Sequence, residues 1–181
     1  MHRGITDNEQ RSHCAVGWTK CYESKKLELL NRAVHHNTIC SLGTGAGKTF
    51  IAVLLIKEYS YHILQYDQKA IFLVDKVALV EQQALHIECH CSLSVGRMHG
   101  KLNTGWKNKE EFTAFSNKHN VIVATAQVFL DLLNHAFFDI TQAAVIIFDE
   151  CHHSLGRRHP YRLILDQYRV LPMEKRCRIW D

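Results

Sequence analysis

Leu42-Gly43-Thr44-Gly45-Ala46-Gly47-Lys48-Thr49 is the stretch that decides the fold. It follows a short apolar run, Thr38-Ile39-Cys40, and precedes an apolar pattern with helical spacing, Phe50 to Tyr59. Strand, glycine-rich loop, Lys-Thr and helix is the order that a phosphate-cradling loop needs. Glycines let backbone N–H groups turn inward and close on phosphate oxygens with no Cβ in the way. The helix that follows aims unpaired N–H donors and the positive end of its dipole at the same anion. In such a loop Lys48 reaches the β- and γ-phosphates, and the Thr49 hydroxyl ligates Mg²⁺. A Gly/Thr-rich surface turn is the competing reading. It is disfavoured because loop, Lys-Thr and both flanks agree.

The remainder of the chain continues the same alternation. Leu27, Leu30 and Val34 lie on one face of a helix expected from Ser24, and Thr38 to Ser41 is expected as the first strand. Ala70 to Asp75, Ser92 to Met98, Asn120 to Ala124 and Ala143 to Phe148 read as further strands. Between them Val77, Val80, Ala84 and Ile87, then Glu110 to Ser116, then Phe129, Leu132, Leu133 and Ala136 read as helices, and Tyr161, Ile164, Leu165 and Tyr168 mark a last one. Several of the strands are continuous apolar runs, as expected of strands buried on both faces. The expected fold is α/β: a parallel sheet with helices on both faces, joined by right-handed crossovers.

In such a sheet ligands bind at the carboxyl ends of the strands. Ala143 to Phe148 runs directly into Asp149-Glu150, which places an acidic pair where the Mg²⁺ of a bound nucleotide sits. Asp149 is expected to hold the metal through its water shell. Glu150 is expected to orient or deprotonate the attacking water. Together with Lys48 they form the candidate catalytic set.

Composition sets outer limits. The 181 residues suffice for one α/β domain with a core, and at 46% hydrophobic and 22% charged they read as globular protein. The net charge of +4 permits a nucleic-acid partner without demanding one. No run is long enough to span a bilayer and Met1 to Arg11 carries no signal-peptide core, so an intracellular, cytoplasmic protein is expected. The seven scattered cysteines suit free thiols. His86, Cys89, His90 and Cys91, with His99 downstream, lack paired CxxC knuckles, so no zinc is expected.

Asp149-Glu150-Cys151-His152, followed by His153, resembles the DECH form of the acidic box of superfamily-two helicases. Leu42 to Leu55, Phe72 to Gln83 (FLVDKVALVEQQ), Thr125-Ala126-Gln127, and Phe148 to His153 with His159-Pro160-Tyr161-Arg162 extend the likeness to the N-terminal helicase region of Dicer, nematode Dicers above all. The helicase variant of the loop tolerates a residue other than glycine at its first place, here Leu42. The resemblance implies a P-loop RecA-like lobe over residues 24–181, preceded by a poorly matched leader over 1–23. It implies ATP and Mg²⁺ as cofactors, double-stranded RNA as partner and ATP hydrolysis coupled to RNA handling in small-RNA processing. It also implies that Lys76, Thr125 and Gln127 lie along the RNA backbone. A non-catalytic module that binds nucleotide or a partner without turnover is the alternative.

The chain departs from the family in two places. Lys25-Lys26 stands where the family has a Tyr-Gln pair that helps read adenine. Cys177-Arg178-Ile179-Trp180-Asp181 stands where the family continues into its coupling motif and, beyond it, a second lobe. A lobe short of the strand that carries this motif is therefore expected, with Trp180 lacking a pocket.

Overall fold

A five-stranded parallel sheet in the order β2-β3-β1-β4-β5 forms the middle layer. The computed structural model describes residues 25–40, 47–100, 108–151 and 159–181. The strands are β1 (Lys69–Val74), β2 (Val95–Met98), β3 (Val121–Thr125), β4 (Ala143–Phe148) and β5 (Arg178–Trp180). The helices are α1 (residues 25–35), α2 (Lys48–Glu58), α3 (Ser60–Gln65), α4 (Val77–His90), α5 (Lys109–Ser116), α6 (Ala126–Asn134) and α7 (Pro160–Arg169). The expected leader over 1–23 lies outside the described residues.

Every residue of β1, β3 and β4 is buried, because helices cover both sides of the sheet. Ala70, Phe72 and Val74 face one core, shared with Ala33, Ile51, Leu55, Val80 and Ile87 of α1, α2 and α4. Ile71 and Leu73 face the other, shared with Phe112, Phe129 and Ile164 of α5, α6 and α7. The strand period of two thus feeds two layers of helices at once.

Connections keep one hand. The segments that move toward β2 run through α2 and α4 on one face. Those that move toward β5 run through α5, α6 and α7 on the other. Chain leaving residues 38–40 therefore turns to one face and chain leaving β4 to the other, which opens a crevice between their carboxyl ends.

The C-terminal residues correct one expectation. β5 is present and pairs in parallel with β4, with Val145 opposite Arg178 and Ile147 opposite Trp180. Trp180 has a pocket: it is 1% exposed and packs in the core with Ala52, Phe72 and Ile147. Its flat indole fills the space between the edge of the sheet and α2, which residue types at the chain end do not reveal.

The expected first strand, Thr38 to Ser41, is reduced to a parallel bridge between Thr38 and Trp180. Thr38 N–H donates to Ile179 O at 3.1 Å and Asp181 N–H donates to Thr38 O at 3.1 Å. Cys40 N–H donates to Asp181 O. β5 is thus covered on its outer side by the segment that delivers the glycine loop, and is not a free edge. Among the described residues no helix is long and apolar enough to cross a membrane. Cys40, Cys89, Cys91, Cys151 and Cys177 are free thiols.

Candidate functional site

Gly47 ends the glycine loop at φ 83°, in the left-handed region where a Cβ is penalised, and caps α2. Lys48 and Thr49 are the first two residues of that helix. Its first turn carries no acidic side chain, so the positive end of the helix dipole is not neutralised from within. Leu42, Gly43, Thr44, Gly45 and Ala46 lie outside the described residues, as do His152 and His153 of the acidic box.

Across the crevice stand Asp149 and Glu150, immediately after β4. Lys48 Nζ lies 3.3 Å from Glu150 Oε1. Glu150 has φ 57°, an uncommon backbone state for a residue with a side chain, shared here with Asp67 and Ala136. Lys48, Thr49, Asp149, Glu150, Trp180 and Asp181 line one cleft. The sequence places these groups roughly 100 residues apart; the parallel sheet brings them together.

The main chain of Asp149 is held from two sides. Its N–H donates to Leu73 O at 2.9 Å. The Tyr161 hydroxyl, on a side chain 1% exposed, reaches Asp149 O at 3.0 Å and Leu73 O at 3.2 Å. The carboxylate is held as well: Gln83 Nε2 donates to Asp149 Oδ2 at 3.1 Å. Cys151 N–H donates to Asp181 Oδ1 at 3.1 Å and ties the box to the chain end.

Burial pushes the Asp149 carboxyl above the usual carboxylate range, and the charge of Glu150 adds to the rise. The Gln83 hydrogen bond and the Lys48 charge work against it. A carboxylate held in this way is short of positive charge. The same burial, with Asp149 beside it, raises Tyr161, which keeps the hydroxyl protonated as a donor. The donor set is the Thr49 hydroxyl and the Asp149 and Glu150 carboxylates. All are hard oxygens, which fit Mg²⁺ better than a soft metal.

Gln83 and Tyr161 are site residues that sequence reasoning did not single out. Gln83 could have been found: it is a polar residue among Val80, Ala84 and Ile87 on the buried face of α4. Tyr161 gives no such signal, because it reads as one more apolar position of α7.

The residues expected along RNA sit at the same end of the sheet. Lys76 is exposed and caps α4. Gln127 is exposed and its Nε2 donates to Asp131 Oδ1 at 2.9 Å. Thr125 is 7% exposed, so its side chain is withdrawn from the surface while the N-terminus of α6 begins beside it. A larger cavity of about 730 Å³ lies at the opposite, amino end of the strands, beside Phe112, Phe138 and Leu171. There Lys69 is buried and already paired with Asp67 at 2.9 Å, and the lining also carries Lys109 and Asp139, but it lies away from the carboxyl ends of the strands.

Together the sheet and the crevice define a RecA-like α/β lobe of the helicase class. The chain belongs to the family described as type III restriction enzyme, res subunit, which matches residues 13–173. It is similar to Endoribonuclease dcr-1 of Caenorhabditis elegans, with 49% identity over 86% of this chain and 8% of that protein. It is similar also to Endoribonuclease Dicer homolog 2b of Oryza sativa subsp. japonica, 39% identical over 79% of this chain and 10% of that protein. Endoribonuclease Dicer of Gallus gallus is 39% identical over 77% of this chain and 7% of that protein. The chain thus spans at most 10% of the length of these three relatives. Among solved structures, the Pyrococcus furiosus Hef helicase domain superposes with a TM-score of 0.69 at 25% identity, over 86% of this chain and 31% of that one. The resemblance to the N-terminal helicase region of Dicers, read from the acidic box and its neighbours, holds.

Proposed function

We propose that this chain is the Mg·ATP-binding lobe of a Dicer-like RNA helicase, whose ATP hydrolysis is coupled to the handling of double-stranded RNA. The observation that carries the reading is the facing of Lys48, in the first turn of α2, with the acidic pair at the end of β4, its Nζ 3.3 Å from Glu150. Gly43, Thr44, Gly45, Ala46 and Gly47 cradle the triphosphate through backbone N–H groups, with Leu42 opening the loop.

Lys48 leaves Glu150 for the β- and γ-phosphate oxygens and withdraws charge from them as the bond to the leaving group breaks. Glu150, released from Lys48, orients the attacking water and takes its proton. Thr49 and Asp149 would hold the metal, Asp149 through its water shell. Mg²⁺, when bound, neutralises phosphate charge and polarises the γ-phosphoryl group. Tyr161 keeps the end of β4 registered against β1 while charges shift in front of it.

RNA is met by Lys76, by Gln127 and by the N-terminus of α6 at Thr125, all suited to phosphate and sugar contacts. Recognition of this kind is tolerant of base sequence and sensitive to salt.

The test is calorimetric titration of Mg·ATP. Lys48→Ala removes a charge-assisted contact worth about 1.5–3 kcal/mol, so affinity is expected to fall roughly ten- to a hundredfold. A variant that binds Mg·ATP as tightly as the parent contradicts the reading.

A further inference from the structure

We infer that Gln83 is a positioning residue of the metal site: its buried amide holds one oxygen of Asp149 and thereby aims the other at the water shell of the metal. The inference rests on the reading of the site proposed above. The main chain of Asp149 is fixed on two sides, by Leu73 O and by the Tyr161 hydroxyl. What remains free is rotation of the side chain, and Gln83 is the group that meets it, at 3.1 Å from Oδ2. A carboxylate only accepts, so the amide nitrogen of Gln83 faces it and the orientation of the amide is settled by chemistry.

Gln83 is 6% exposed and shares its helix face with Val80, Ala84 and Ile87. An amide in such a place is costly unless its donor is satisfied, and Asp149 satisfies it. Gln83 lies in the interior of α4 (Val77–His90), not at a helix end.

The experiment is calorimetric titration of Mg²⁺ at fixed ATP, with ATP binding in EDTA and the thermal midpoint as companions. Gln83→Met keeps length and apolar fit but removes the donor. Gln83→Asn keeps the amide but shortens its reach, and serves if the Met variant folds poorly. Partners of this kind around a metal ligand commonly matter by 10- to 100-fold, so Mg²⁺ affinity is expected to fall roughly tenfold. Metal-free ATP binding and the thermal midpoint are expected to stay near those of the parent. Mg²⁺ affinity within about twofold of a parent that does bind the metal overturns the inference alone. Equal losses of metal-dependent and metal-free ATP binding make Gln83 a structural residue and overturn it too. A parent with no Mg²⁺-dependent ATP binding overturns the reading of the site, and the inference with it.

Discussion

Glu150→Gln is expected to slow ATP hydrolysis by about 10²- to 10⁴-fold, the span of a positioned general base, while Mg·ATP affinity holds or tightens slightly. The two effects separate because Glu150 does two things. Its carboxylate engages Lys48 at 3.3 Å, and in the proposed site it competes with the phosphates for that cation. In the proposed mechanism it accepts the proton of the attacking water once nucleotide is bound. Glutamine keeps the shape and can still hydrogen-bond, but it removes both the competing charge and the base. The expected signature is a collapse of kcat without a rise in KM. Single-turnover hydrolysis with and without long double-stranded RNA measures it, alongside calorimetric binding. Turnover equal to the parent contradicts the assigned role.

Trp180→Ala is expected to cost about 3–5 kcal/mol of stability, the range for deleting a large buried aromatic side chain. For a chain of this size that lowers the thermal midpoint by roughly 6–20 °C. Trp180 is 1% exposed and packs between β4 and α2, next to the cleft that Lys48 and Asp149 line. Its backbone also carries the bridge to Thr38, so the cavity opens beneath the segment that delivers the glycine loop. Thermal unfolding followed by circular dichroism gives the answer. A loss below about 1 kcal/mol would mean that the site has collapsed around the smaller residue, or that the packing is weaker than its burial implies.

How much of this was legible depends on the kind of signal. β4 can be read to the residue because Ala143 to Phe148 is wholly apolar and ends at a charged pair. The Asp-Glu half of the site is legible for the same reason, since it falls at the carboxyl end of that apolar strand, whereas the Lys-Thr half is legible from its glycine-rich loop and the helix that follows. α3 is harder. Its boundary at Tyr59-Ser60 carries no proline or glycine, and its exposed Tyr61, Leu64 and Tyr66 blur the apolar stripe that marks a helix.

β5 is three residues long, too short to show a period, and its burial comes from α2 and from the Thr38 segment rather than from its own pattern. The partnership of Gln83 with Asp149 spans 66 residues of sequence, so only the fold can create it. Thr125 shows a different limit of residue type. Its residue type suits a phosphate contact, yet the packing of β3 against α6 withdraws its side chain to 7% exposure at the N-cap of that helix.

The central claim is that nucleotide binds between the N-terminus of α2 and the carboxyl end of β4. Backbone hydrogen exchange with and without Mg·ATP tests it most directly, since local protection reports where a ligand closes the structure. Added protection is predicted at Gly47 to Ala52 and at Phe148 to Cys151. Protection centred on the amino ends of the strands, at Lys69-Ala70 and Ile140 to Ala143, or no protection at saturating Mg·ATP, would contradict it.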